Sequence, residues 1–303
     1  MRVAVSGSTG LVGSEVVTVL SAEGHEVVRL VRHVPAPGEK TVRWDPEAGV
    51  IDVGGLEGCD AVVHLAGENI GAGRWTAARK AAIRDSRVKG TRLLCDALAG
   101  LARPPKTLVC ASAVGYYGDR GEEVLTEESP PGAGFLPGVC REWEAASAAA
   151  AREGIRVVAL RIGMVLSPKG GALARMLPLF RAGLGGVLGS GKQYVSWVSL
   201  DDLTGIVLHA LSREELRGPV NAVTPRPVTN RELTEALGKV LSRPTLLSVP
   251  PFAPRLAVGE MADPLLLASA RVAPRRLEET GYRFRFPELR AALRHLLGKQ
   301  EEP

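Results

Sequence analysis

The residues nearest the amino end that can do chemistry are three glycines. Gly7, Gly10 and Gly13 fall at GxxGxxG spacing in Gly7-Ser8-Thr9-Gly10-Leu11-Val12-Gly13, where an alternating run over 2–6 gives way to helical spacing. A glycine takes the positive φ of a tight turn, puts no Cβ in the way of a pyrophosphate and lets helix and strand pack closely. The helix that starts there offers free N–H groups and a positive dipole end to phosphate oxygens. The second chemical signal is Arg32, at the end of the strand-like run 26–32, in Leu30-Val31-Arg32-His33. A dinucleotide site that prefers an unphosphorylated ribose sets a carboxylate at this strand end, whereas an arginine forks onto a 2′-phosphate. The expected ligand is NADP(H), held by Gly7, Thr9, Gly10, Leu11, Val12, Gly13, Val31 and Arg32.

The elements that must position these residues alternate between strand and helix. Strands are expected over 2–6, 26–32, 41–45, 60–66, 106–112, 155–161 and 219–223. Helices are expected over 11–23, with Val12, Val16, Val19 and Leu20 on one face, and over 76–101, 138–153 and 201–211; another opens at a capping-box match, Thr229 to Glu232, and runs through Leu241. Strand–helix repeats of this length make a parallel sheet covered by helices on both faces. After Arg161 the rhythm breaks: 167–195 is rich in Gly and Leu, carries Pro168 and Pro178, and shows no clean strand–helix pair. The fold class expected is α/β, a doubly wound parallel sheet with a smaller mixed C-terminal lobe. A dinucleotide-binding domain spans 1–166, with 196–225 returning to it, and a substrate lobe of 167–195 and 226–303 lies over the carboxyl ends of the strands.

Several stretches together carry a resemblance. GSTGLVG, HLAGENI (64–70), SAVGYYG (112–118), RIGMVL (161–166), SWVSLDDL (196–203) and PVNAV (219–223) resemble the extended short-chain dehydrogenase/reductase superfamily. Within it they look like the atypical, NAD-dependent epimerase/dehydratase-like branch of epimerase family proteins, over nearly the whole chain. The tail after Pro250 is similar to that branch's own C-terminal domain. The resemblance implies a Rossmann sheet of order 3-2-1-4-5-6-7, NADP binding, and further cofactor contacts from Leu65, Ala66, Gly67, Arg87, Cys140 and Met164. It also implies oxidoreductase or epimerase-like chemistry on a small-molecule substrate, and pairing of two copies as a homodimer, which is frequent in the superfamily.

In that superfamily a Ser polarises the substrate carbonyl, a Tyr hydroxyl is the acid or base, and a Lys four residues after the Tyr binds the nicotinamide ribose. Ser112 matches the Ser. Counting back from Glu144, the Lys position holds Cys140 and the Tyr position holds Leu136, while Arg87 stands where the long helix usually has Asn. Cys for Lys and Arg for Asn are habits of the branch. Leu136 cannot move a proton, and Cys140 is neutral unless its pKa is shifted, so it is expected as a buried structural thiol. Three outcomes stay open: an enzyme with a different acid/base, a reductase of an acceptor needing little proton help, or a catalytically silent NADP(H) sensor. For the enzyme, Ser112 and Tyr116 are the expected catalytic residues, and Glu68, Tyr117 and Trp197 the expected substrate contacts. Glu68 is also expected to pair with an Arg such as Arg74, and His64 to be hydrogen-bonded packing. Arg87 shares a helix face with Ile83, Gly90 and Leu94, so it is expected to turn inward and to need an acceptor.

The bulk composition narrows the classes. The 303 residues are 45% hydrophobic and 23% charged, which excludes disorder for most of the chain. The net charge of +5 is scattered, with aromatics at 4%, which speaks against a nucleic-acid face. No uncharged run nears the ~18 residues that span a bilayer, and the amino end lacks the apolar stretch of a signal peptide. Cys59, Cys95, Cys110 and Cys140 form no CxxC, so no metal is expected and a reducing cytoplasm is the natural compartment.

Overall fold

A computed structural model describes residues 1–36 and 38–299. Its main sheet consists of β1 (Arg2–Ser6), β2 (Glu26–Val31), β3 (Thr41–Asp45), β4 (Val50–Ile51), β5 (Ala61–His64), β6 (Thr107–Ala113), β7 (Arg156–Ile162) and β8 (Gly218–Ala222). The order across it is β8-β7-β6-β5-β1-β2-β3-β4. All pairs are parallel except β3 with β4. The expected order therefore holds, with β4 added at one edge as a short hairpin partner. β1, β5 and β6 are buried along nearly their whole length, as strands covered on both faces must be.

The helices in chain order are α1 (Leu11–Ala22), α2 (Ala77–Ala99), α3 (Phe135–Ala145), α4 (Ala148–Arg152), α5 (Gly171–Arg181), α6 (Leu200–Ser212), α7 (Asn230–Leu241), α8 (Phe252–Val258), α9 (Arg275–Glu279) and α10 (Leu289–Leu296). On one face of the sheet α1 and α6 pack Val16, Leu20, Leu203, Ile206 and Val207 against β1 and β7. On the other, α2 and α4 bring Leu94, Leu98 and Ala150. A separate apolar cluster joins α5, α7 and α10 through Leu173, Leu177, Phe180, Leu233, Leu237 and Leu293. The capping box of α7 is present, with Thr229 and Glu232 exchanging side-chain and backbone bonds.

Two expectations about helices need correction. The helix read over 138–153 starts at Phe135, with Pro137 in its first turn, and breaks between Ala145 and Ala148. Proline is tolerated there because first-turn N–H groups have no helical partner. The stretch 167–195 contains α5, whose Leu173, Leu177 and Phe180 are buried at helical spacing while Pro178 faces solvent. Glycines at its start and Pro178 inside it masked that period. The tail closes onto the loop that follows β5 and onto the start of α2: Arg74 Nη2 donates to Leu256 O at 2.6 Å, and Lys80 Nζ meets Glu260 at 3.0 Å.

A buried polar chain fixes that loop from below. Ser6 Oγ lies 2.6 Å from His64 Nδ1, His64 Nε2 lies 3.0 Å from Thr91 Oγ1, and Trp143 Nε1 donates to the same Oγ1 at 2.9 Å. Ser6 Oγ also accepts the N–H groups of Leu65 and Ala66. Burial holds the His64 pKa down to about 4, so the ring is neutral. An unfolded chain takes up a proton on this ring below its ordinary pKa near 6.5 that the folded chain refuses until about pH 4. Stability therefore falls as pH drops through that window, by roughly 3 kcal/mol in total. Urea melts across pH 7 to 4 are expected to show this loss, and His64→Gln is expected to flatten it; an unchanged slope in the variant would sink the assignment.

Candidate functional site

The glycine turn is built as a phosphate cradle. Gly7 has φ +66°, and a Cβ there would lie 2.9 Å from Ala66 N and Leu65 C. A Cβ on Gly13 would lie 2.1 Å from Gly7 O. These two glycines close the turn. Gly10 differs: its backbone is ordinary and extended, it is exposed, and an added Cβ meets only Gly7 O, at 3.3 Å. Its outer side is open where α1 begins. No side chain caps α1 and no acid stands in its first turn, so its N–H groups are left to an outside acceptor. Thr9 and Gly67 are exposed around this opening, and Leu11, Val12, Leu65 and Ala66 are half-buried. The residues fit the pyrophosphate of a nicotinamide dinucleotide. Val31 ends β2, and Arg32 follows it, exposed, with no hydrogen bond or ion pair from its side chain among the described residues.

Arg87 turns inward as its helical spacing requires. Its Nη1 donates to Glu68 O at 2.9 Å and Ile83 O at 3.1 Å, and its guanidinium lies 5.0 Å over the Trp143 ring. The acceptors are thus backbone carbonyls. Glu68 pairs with Arg79 at 2.7 Å and not with Arg74, whose guanidinium reaches the tail carbonyls instead. Arg79 lies on α2 and also bonds Asn69 O, so the helix start draws the carboxylate toward itself.

The centre expected around Ser112 is organised by a residue that the sequence patterns did not single out. Arg161, on β7 and 3% exposed, grips Glu144 with two arms: Nε to Oε1 and Nη2 to Oε2, both 2.9 Å. Its Nη1 donates to the Tyr117 hydroxyl at 2.9 Å and to Glu127 O at 3.2 Å. Its flat face lies 3.5 Å from the centre of the Tyr116 ring. Burial opposes the guanidinium charge, but its hydrogen bonds to Glu144 and the adjoining Tyr117 outweigh burial and raise the Arg161 pKa. Ser112 donates to Glu144 Oε1 at 2.6 Å. The Glu144 carboxylate thus holds the Ser112 hydrogen.

Two of the three expected substrate contacts lie in the core of the protein. Tyr117 is fully buried; its hydroxyl meets Asn221 Oδ1 at 2.7 Å and Thr126 O at 2.9 Å, and burial pushes its pKa up to about 12. Trp197 is fully buried in the α5–α7–α10 cluster and donates to Arg226 O. Neither side chain reaches solvent. Tyr116 differs: it is half-buried, and its hydroxyl has no protein partner among the described residues. Cys140 is buried, and desolvation, then the Glu144 charge, push its pKa up to about 12, so it stays a thiol. Leu136 packs with Trp75 and Met261, and Met164 is half-buried on a short strand beside Trp197. Among the described residues no cluster suits a metal ion, and no helix is long and apolar enough to cross a membrane.

A family model described as the NAD dependent epimerase/dehydratase family matches residues 3–222. The chain belongs to this epimerase/dehydratase family. Its residues 249–296 match a domain of unknown function, DUF1731, which is the separate C-terminal domain expected for the epimerase-like branch. An epimerase family protein of Mycobacterium bovis is 46% identical over 293 residues, 96% of each chain. The crystal structure of the human epimerase family protein SDR39U1 (isoform 2) with NADPH superposes with TM-score 0.90 at 37% identity, covering 99% of this chain and 100% of that one. A UDP-glucose 4-epimerase of Thermus thermophilus in complex with NAD shares the fold, with TM-score 0.75 at 23% identity over 98% of this chain and 99% of that one. The epimerase-family sheet of this chain is thus of the short-chain dehydrogenase/reductase type, with a departure at Leu136 and Cys140.

The buried pair gives a direct test of the centre. Glu144→Ala leaves the Arg161 charge without a counter-ion, and breaking a buried pair this way costs about 3–5 kcal/mol. Urea unfolding is expected to show that loss, and Glu144→Leu combined with Arg161→Met is expected to recover more than half of it. A single variant as stable as the parent would contradict the assignment.

Proposed function

We propose that this protein is an NADP(H)-dependent oxidoreductase acting on a small carbonyl-type molecule, with Tyr116 as the proton donor and acceptor in place of the absent Tyr/Lys pair. The observation that carries this reading is the contrast among hydroxyls. Ser112 and Tyr117 are committed to Glu144 and to Asn221, Thr126 and Arg161, while the Tyr116 hydroxyl is accessible and unpartnered among the described residues. The phosphorylated cofactor is supported by Arg32, by the lack of a carboxylate beside it at the end of β2, and by the NADPH in the human relative.

When bound, the nicotinamide supplies or accepts a hydride. The chain does the rest. The N–H groups of α1 hold the pyrophosphate and Arg32 the 2′-phosphate. Arg161 fixes the Tyr116 ring through its face. As a substrate carbonyl becomes an alkoxide, the Tyr116 hydroxyl gives it a proton and recovers one from water; in the reverse direction it accepts one. Trp75, Leu136 and Met261 keep that side of the site apolar. The same reading has the protein work in the cytoplasm on a diffusible substrate, with no nucleic acid or membrane, as a single chain or a homodimer.

A second reading, a catalytically silent NADP(H) sensor, is favoured by the committed Ser112 hydrogen and the protonated Cys140. Calorimetry and NADPH absorbance separate the two. NADPH is expected to bind more tightly than NADH, and Arg32→Ala to erase most of a difference of roughly 10- to 150-fold, the worth of a charge-assisted contact. Equal affinities in the parent protein would contradict the cofactor assignment. Oxidation of NADPH with a member of an aldehyde, ketone and quinone panel is expected; tight binding with no turnover across the panel favours the sensor.

A further inference from the structure

β2 and β3 stand near the sheet edge, and the chain between them, 32–40, forms no helix among its described residues. One face of this pair carries Val28, Leu30, Val42 and Trp44, all buried in the core shared with α2. The opposite face carries Arg29 and Val31 on β2 with Thr41 and Arg43 on β3, half-buried or exposed. Near the amino end of β2 a groove of about 470 Å³ opens, lined by Val17, Ser21, His25, Arg29 and Lys40 among others. The register sets Arg29 beside Thr41 and Val31 beside Arg43. Arg43 therefore neighbours the residue that precedes Arg32.

The Arg43 guanidinium makes no hydrogen bond or ion pair among the described residues, and its Nε is buried without an acceptor. Buried polar groups without a partner are rare and call for an explanation. Two nearby carboxylates are engaged elsewhere: Asp45 accepts the N–H groups of Glu47 and Ala48, and Glu39 takes Ala36 N–H and His33. A third, Asp52, donates its backbone N–H to Arg43 O across the edge hairpin, but its carboxylate forms no ion pair with Arg43. The edge of a guanidinium formed by Nε and one Nη is shaped for two phosphate oxygens. We propose that Arg43 is a second specificity-determining cation for the 2′-phosphate, acting with Arg32 from the adjacent strand. This rests on the reading of the cofactor as NADP(H). Arg29 lies on the same face, farther from the carboxyl end of β2, and does not take part.

The test uses the full chain and two probes that carry no nicotinamide, adenosine 2′,5′-bisphosphate and adenosine 5′-monophosphate, titrated by calorimetry. Arg43→Met is expected to weaken the bisphosphate about tenfold and to leave the monophosphate within about twofold, as loss of one charge-assisted contact does. Arg29→Met is expected to change neither. Melting curves report whether each variant is folded, and Arg43→Lys, which keeps the charge, is expected to lose less than Arg43→Met. The inference is overturned if Arg43→Met binds the bisphosphate as the parent does, if it weakens both probes alike, or if Arg29→Met has the same effect. Arg32→Ala abolishing the discrimination while Arg43→Met retains it would leave the NADP(H) reading standing and this inference fallen. A parent protein that binds the two probes equally would end both.

Discussion

A guanidinium at 3% exposure persists in a folded chain only if a counter-charge and acceptors surround it, and Arg161 sets that demand on everything near it. Glu144 answers with both oxygens, which locks α3 onto β7. Tyr117 supplies a hydroxyl and Glu127 a carbonyl, which brings the loop after β6 inward. Tyr116 lies across the remaining flat face. The positions of Ser112, Leu136 and Cys140 follow: Leu136 and Cys140 belong to α3, and Ser112 stands on β6 directly beside Arg161 in the register. The Ser6–His64–Thr91–Trp143 chain does the same on the other side of α3, where it holds the loop that meets the glycine turn.

That arrangement decides which groups remain for chemistry. A hydroxyl whose hydrogen rests on a carboxylate is a poor donor to a substrate, and a thiol whose pKa is pushed up to about 12 is a poor nucleophile. Leu136, in the place of a tyrosine, packs against apolar neighbours and moves no proton. The Tyr/Lys pair is therefore not hidden elsewhere in rearranged form around Arg161. What the centre offers is a cation with its charge neutralised and one phenol lying on it.

The parts legible in the sequence were those with a local period or a local spacing. Strand–helix alternation pointed to a parallel sheet with helices on both faces, the family resemblance to its strand order, GxxGxxG to the turn, and Thr229 with Glu232 to the capped start of α7. The helix face of Arg87 predicts an inward side chain, and its guanidinium does turn inward onto Glu68 O and Ile83 O. The Arg161–Glu144 pair was not legible, because its partners sit on different elements and no period links them; an arginine in an otherwise apolar buried strand was the available signal. Tyr116 and Tyr117 are adjacent and alike in sequence, yet the backbone turns one into the core and leaves the other half-buried. Glu68 had cations at 74 and 79 to choose from, and the start of α2 decided for Arg79. α5 was obscured by glycines and a proline, although Leu173, Leu177 and Phe180 keep its period.

The central claim is that proton transfer at this site passes through the phenol on Arg161 and not through the thiol at the old lysine position. Steady-state NADPH oxidation by the parent, Tyr116→Phe and Cys140→Ala, compared side by side on the first carbonyl substrate that turns over, tests it most directly. Tyr116→Phe is expected to lower kcat by roughly 10²-fold or more, as loss of a general acid does, with NADPH affinity kept, and Cys140→Ala to leave kcat within a few-fold. Full activity in Tyr116→Phe together with its loss in Cys140→Ala would contradict the account.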